Sequence, residues 1–248
     1  MLNLAIKSRS TWNGKPYTTP GLGDRVHHAL CAYQYSKGKP ITLHLTEDKF
    51  GKPHKKESWN QLQDMIPNVR IMVWPVQNLE EVEWINYLKH QGVWNIETYH
   101  YSDTRNNPQL SSQGSHGIDM SQYLKTLPCL EAPDVNGFFK DLPEKFATLQ
   151  FDSTDSSRMG DVEKIKLKYS KEGYKLFVIG GQAKHIRLRT SLKHISHLIA
   201  KADIHVGVDS GMFHLAQLYK PWNKIHVYKG DFISHHLERA INNGVTII

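Results

Sequence analysis

Apolar and polar positions along this chain alternate between two periods. Short apolar runs suited to strands occur at 2–6, 41–45, 69–73, 146–151, 176–179, 204–208 and 224–228. Between them apolar residues recur at helical spacing. Leu22, Val26, Ala29, Leu30 and Tyr33 form one such stripe, brought to an end by Gly38 and Pro40. Helices are also predicted over 58–66, over 79–90 with Val82, Ile85 and Leu88 as its stripe, and over 161–172, 191–201, 212–219 and 235–242, with 245–248 extended. Strands alternating with helices imply parallel βαβ units. From 95 to 142 the pattern weakens into polar stretches, read as long loops around one strand and a short helix that join two halves.

Two successive runs of βαβ units predict an α/β fold of two Rossmann-like domains, 1–140 and 141–248, facing across a cleft in a compact version of that architecture. Ligands would sit at the carboxyl ends of the strands. One doubly wound sheet is the alternative arrangement.

The most informative stretch is Val206-Gly207-Val208-Asp209-Ser210-Gly211-Met212-Phe213-His214-Leu215-Ala216. An apolar strand breaks into a small polar turn, and Met212, Leu215, Ala216 and Tyr219 then repeat at helical spacing. Ser210 is a good N-cap residue and Gly211 lets a ligand approach the backbone. Free N–H groups and the positive end of the helix dipole converge at such a turn, which suits a phosphate or diphosphate. His214 lies one turn down, and its Cβ leans toward the helix N-terminus, so a donor there would point at the same anion. An ordinary capped helix with a core histidine is the bland reading of the same residues.

The first half carries a counterpart, Gly21-Leu22-Gly23-Asp24, a glycine-rich turn opening the Leu22 stripe. It is neither a dinucleotide fingerprint, since the third glycine position is Val26, nor a P-loop. Asp24 in the first helical turn either complements the dipole or serves as a general base for an acceptor hydroxyl. In the second half, the strand at 146–151 runs into Asp152-Ser153-Thr154-Asp155-Ser156-Ser157-Arg158, where hydroxyls and an arginine offer phosphate chemistry or a plain Asx turn. This loop, Gly180-Gly181-Gln182 and Asp209-Ser210-Gly211 all follow strands of the same half, so they would line one sheet edge.

Composition narrows the classes. The 248 residues are 39% hydrophobic, with no apolar run long enough for a bilayer span and no signal-peptide run in residues 1–10. Two cysteines, Cys31 and Cys129, are too few for a disulfide scaffold, which points to a reducing, cytoplasmic setting. The net charge of +7 favours an anionic partner: nucleotide, nucleic acid, anionic glycan or membrane headgroup. His27-His28, His194-x-x-His197 and His235-His236 lack the spacing of a zinc enzyme, so no structural metal is expected. Trp59, Trp74, Trp84, Trp94 and Tyr99 read as packing rather than a stacking platform.

With both motifs placed, the chain resembles the GT-B glycosyltransferases, in particular the heptosyltransferase-like family. Gly21-Leu22-Gly23-Asp24-Arg25-Val26 is similar to that family's Gly-Asp helix opening, and Asp209-Ser210-Gly211-Met212-Phe213-His214-Leu215-Ala216 to its Asp-Ser/Thr-Gly-x-x-His-x-Ala segment. The resemblance implies inverting transfer from a nucleotide-sugar donor held by the second domain, without a cofactor or essential metal. It implies Asp24 as base, with Gly21 and Gly23 in the acceptor loop. Arg158, Ser156, Gly180, Gly181, Ser210, Gly211 and His214 would hold the donor, and Asp209 would orient its loop. The acceptor would be a glycan, a lipid-linked saccharide or a modified DNA base, with peripheral membrane contact compatible with the charge. A non-catalytic sugar-nucleotide or nucleic-acid binding module, or a nucleotide-sugar epimerase, would use the same fold.

Overall fold

The computed structural model describes residues 1–6, 11–12, 15–16, 22–46, 61–63, 65–76, 79, 81–100, 118–119, 130–151, 160–179, 191–230 and 235–248. The chain forms two compact units, Met1–Thr126 and Leu127–Ile248. The expected boundary at 140 lies inside the second unit for a physical reason. Phe139 and Leu142 pack on Phe146, Leu198 and Ala202, and the Leu130 amide donates to the Leu218 carbonyl at 2.7 Å.

In the first unit, β1 (Leu2–Ile6) is followed by two short strands, β2 (Thr11–Trp12) and β3 (Lys15–Pro16), which pair antiparallel on their own. Then come α1 (Leu22–Tyr35), β4 (Ile41–Thr46), β5 (Val69–Trp74), α2 (Glu81–His90), β6 (Ile96–His100) and β7 (Ile118–Asp119). The sheet order is β5-β4-β1-β6-β7 with every pairing parallel, the doubly wound order in which the chain reverses direction between β1 and β6. Leu4, Leu43 and Ile71 stand in register and are buried, and α1 packs against β4 and β5.

On the other face Ala5, Trp84 and Leu88 form a core that α2 supplies. Val82 was expected in that stripe but is 72% exposed, because the fully buried Trp84 turns the helix to its own side. Among the described residues, the region after 95 contributes two strands, β6 and β7, where one is expected from the sequence. A satisfied polar chain crosses the α2 side of the sheet. The Trp74 indole donates to His44 Nδ1 at 3.0 Å, which leaves the His44 hydrogen on Nε2, 3.1 Å from Asn3 Oδ1; the Asn3 amide donates to the Trp94 carbonyl at 2.7 Å. Burial, and secondarily Arg70, lowers the His44 pKa to about 4.

The second unit runs β8 (Phe146–Gln150), α3 (Val162–Lys171), β9 (Lys175–Val178), α4 (Leu192–Lys201), β10 (Ile204–Val208), α5 (Gly211–Tyr219), a short 3-10 turn, β11 (Ile225–Tyr228), α6 (His235–Asn242) and β12 (Thr246–Ile247). The order β12-β11-β10-β8-β9, again all parallel, places the reversal between β8 and β10. Local chemistry explains the helix ends. The Asp161 carboxylate accepts from the Lys164 amide to start α3, and the Ser191 hydroxyl accepts from the His194 amide to start α4. Ala147, Leu149, Phe151, Val206 and Val208 form a core with Ile165 and Tyr169 of α3. The opposite face of β8 and β10 alternates Thr148, Gln150, His205 and Gly207.

Candidate functional site

Both strands flanking the reversal of the second unit deliver polar residues to their carboxyl ends. Chain reversal sends the following segments to opposite faces and opens a crevice there, the usual ligand position in an open α/β sheet. β8 ends on Gln150 and β10 on Val208, followed by Asp209 and Ser210, and α5 begins at Gly211. The residues of α5 from Phe213 to Tyr219 are all buried, so the helix is a core element with its N-terminus fixed at the crevice.

Close approach of the two strands depends on one glycine. Gly207 is paired with Gln150, and a Cβ there would sit 2.7 Å from the Gln150 backbone oxygen and 3.3 Å from His205 Nε2. One residue back, Thr148 Oγ1 and His205 Nδ1 are 3.0 Å apart, fully buried. Burial, then the charge of Lys220 and of His226, pushes the His205 pKa down to about 3, so the ring is neutral. Lys220, 5% exposed at the end of α5, donates to the carbonyls of Ala200 and Ala202 and ties α5 to the end of α4.

Ser210 occupies the N-cap position with extended backbone (φ −150°, ψ 178°), and its carbonyl accepts from the His214 amide at 3.2 Å. Its side chain does not cap the helix, contrary to the expectation for that residue type. The hydroxyl donates instead to Gln150 Oε1 at 2.6 Å, at the end of the neighbouring strand. A tertiary partner outcompetes the local one, and the first-turn amides of α5 have no side-chain cap.

Asp209 is 2% exposed, and its Oδ1 lies 3.7 Å from His214 Nε2. The other ring nitrogen, Nδ1, lies 3.5 Å from the Gln217 side-chain nitrogen, and Gln217 is itself 1% exposed. His214 was expected to point a donor at a bound anion. In the structure its two ring nitrogens lie near Asp209 on one side and Gln217 on the other. Gln150 and Gln217 were not singled out in the sequence. Their partners lie sixty residues away for Gln150 and one helical turn away for Gln217, and only the latter spacing is visible in a linear reading.

The remaining candidates divide by position. Gly23 and Asp24 are the second and third residues of α1, in its first turn, with Gly23 buried. Gly21, Ser156, Arg158, Gly180 and Gly181 lie outside the described residues. The structure therefore brings together Asp209, Ser210, Gly211 and His214, and adds Gln150 and Gln217 to them. Among the described residues no group of three or more His, Cys, Asp or Glu could hold a metal ion, and no helix is long and apolar enough to cross a membrane.

No family model and no curated protein sequence matches the chain. Solved structures do. E. coli heptosyltransferase WaaC with ADP-2-deoxy-2-fluoro heptose aligns with TM-score 0.55 and 12% identity over 100% of this chain and 93% of that one. A glycosyl transferase family 9 protein from Veillonella parvula aligns with TM-score 0.56 and 10% identity over 100% and 85%. The dodecameric iron-containing heptosyltransferase TibC, in complex with ADP-D-beta-D-heptose, aligns with TM-score 0.53 and 12% identity; this chain spans 61% of its length. At such identities the likeness is one of fold: two parallel α/β units, arranged in sequence as in the heptosyltransferases.

Proposed function

We propose that this chain is an inverting glycosyltransferase that takes its sugar from a nucleoside diphosphate sugar held at the Asp209–Gly211 turn. The observation that carries the reading is the N-terminus of α5 at the β8/β10 reversal, its first-turn amides without a side-chain cap and the turn spelling Asp-Ser-Gly with His214 one turn on. Its support is the fold shared with structures that were determined with ADP or an ADP-heptose. As the donor's glycosidic bond breaks, negative charge develops on the departing diphosphate. Fixed N–H donors at a helix terminus stabilise that charge without reorganising. Ser156, Arg158, Gly180 and Gly181 follow the neighbouring strands in sequence and would add hydroxyl, guanidinium and backbone donors to the same leaving group.

Asp24 is the proposed base, taking the proton of the acceptor hydroxyl as that oxygen attacks the anomeric carbon, with Gly21 and Gly23 opening its loop to the acceptor. No metal or cofactor has a part in this scheme. The acceptor is a hydroxyl of a glycan, a lipid-linked saccharide or a modified base, and the reaction is placed on the cytoplasmic side, where nucleotide sugars are supplied.

The test is release of nucleoside diphosphate from a panel of nucleotide sugars, with and without acceptors, for the natural protein and Asp24→Asn. Transfer should fall by at least ~100-fold in the variant, the range expected for removal of a general base, while diphosphate affinity stays within about twofold. Unchanged turnover removes Asp24 from the role. Diphosphate binding with no transfer to any acceptor identifies a binding module, and conversion of the donor without acceptor identifies an epimerase.

A further inference from the structure

We infer that Gln150 is a positioning residue that keeps the donor site open by holding the Ser210 hydroxyl away from the helix it would otherwise cap. The inference rests on the reading of the Asp209–Gly211 turn as a diphosphate site. A serine at this position normally turns its oxygen toward the amides of the second and third helical residues, here Met212 and Phe213. Those amides would then be spent on the protein's own side chain. In this structure the Ser210 hydroxyl is directed to Gln150 Oε1 at 2.6 Å, and no side-chain cap is present.

The arrangement depends on the two strands. Gln150 is the last residue of β8, 3% exposed, and pairs with Gly207 of β10. A Gly207 Cβ would lie 3.6 Å from the Gln150 Oε1, an ordinary contact, but 2.7 Å from its backbone oxygen, so the missing Cβ is what lets this end of β8 sit against β10. A bulkier residue at 207 would act through that backbone oxygen, displacing the end of β8 that carries Gln150 and with it the acceptor of Ser210. Gln150 and Ser210 thus form a latch between the strands on either side of the reversal, and its closed position leaves the α5 amides available to an incoming phosphate.

Without the Gln150 acceptor, Ser210 returns to the helix end and competes with the ligand. Removing the serine as well removes the competitor.

The experiment measures binding of ADP, GDP, UDP and CDP, each alone, by calorimetry to the natural protein, Gln150→Leu, Ser210→Gly and the double variant. Amide hydrogen exchange at Met212 and Phe213 is followed without ligand. Gln150→Leu should weaken the bound diphosphate about fivefold, the equivalent of one serine cap, and slow exchange at both amides. Adding Ser210→Gly should restore affinity to within about twofold of Ser210→Gly alone and return exchange to its original rate. Loss of affinity that Ser210→Gly does not rescue, or exchange that Gln150→Leu leaves unchanged, overturns the latch. If no diphosphate binds the natural protein, the donor reading fails, and the exchange rates alone then decide whether Gln150 holds Ser210 off the helix.

Discussion

Replacing Gly207 with alanine tests how the site is built. The new Cβ would lie 2.7 Å from the backbone oxygen of Gln150, a separation real Cβ atoms do not show, and 3.3 Å from His205 Nε2. The first of these atoms belongs to a strand paired on both sides, β8 between β9 and β10, so it cannot move alone. Gly207 itself does not have a positive φ, which makes the cost one of packing and not of backbone strain. Overpacking of this kind costs about 1–3 kcal/mol, a fall in melting temperature of about 4–12 °C for a unit of this size. Because the displaced residue is Gln150, diphosphate affinity should fall together with stability. Calorimetric melting and titration of the same variant read both quantities. Removing the Gln150 side chain in the Gly207→Ala background should not restore stability, since the clash is with the carbonyl and not with the amide. A Gly207→Ala protein with unchanged melting temperature and affinity would refute the close approach of β8 and β10 on which the site depends.

Two further expectations concern stability. Burial holds the pKa of His28 at about 4, that of His44 at about 4 and that of His205 at about 3, against 6.5 in the unfolded chain. The unfolded state therefore binds more protons, and the stability present above pH 6.5 is lost as the pH falls through 6.5 toward the folded values, by about 2 kcal/mol for each of the fully buried His28 and His205 between pH 7 and pH 5 and by less for His44, which solvent screens; urea unfolding at the two pH values checks it, and equal midpoints would contradict it. Lys220→Met keeps the buried stem but leaves the Ala200 and Ala202 carbonyls without their ammonium donor. It should cost about 1–3 kcal/mol and raise the His205 pKa, since Lys220 is one of the charges that lowers it; chemical denaturation and the His205 ring shift in an NMR titration read the two effects.

The features most legible in the sequence were those decided by neighbours in the chain. Asp161 and Ser191 cap α3 and α4 through amides three residues on, so both helices begin where the pattern places them. Parallel strands buried on both faces, such as β8 and β10, announce themselves as apolar runs. What was missed depended on distant partners. Ser210 has the chemistry of a cap, but Gln150 takes its hydroxyl from sixty residues away. Val82 fits the α2 stripe by spacing, yet Trp84 has more surface to bury and wins the core face. Residues 130–142 read as a linker because the contacts that anchor them, Phe139 on Phe146 and Leu198, and Pro133 accepting from His197, are tertiary. Asn13-Gly14 between β2 and β3 is a local signal of the same kind as the caps, a favoured two-residue hairpin sequence between strands that pair antiparallel. Of the site, the Asp209-Ser210-Gly211 turn was visible in the chain, whereas the partners that hold it were not.

The central claim is that this turn holds a nucleoside diphosphate. Thermal melting of the natural protein in the presence of ADP, GDP, UDP, CDP and their sugars, with no acceptor, tests it most directly. At a hundredfold excess over the dissociation constant a ligand that binds only the folded state adds about 2.7 kcal/mol, so at least one nucleotide should raise the transition by several degrees. The rise should be reduced in Gly207→Ala. A transition that no nucleoside diphosphate or nucleotide sugar moves would contradict the account.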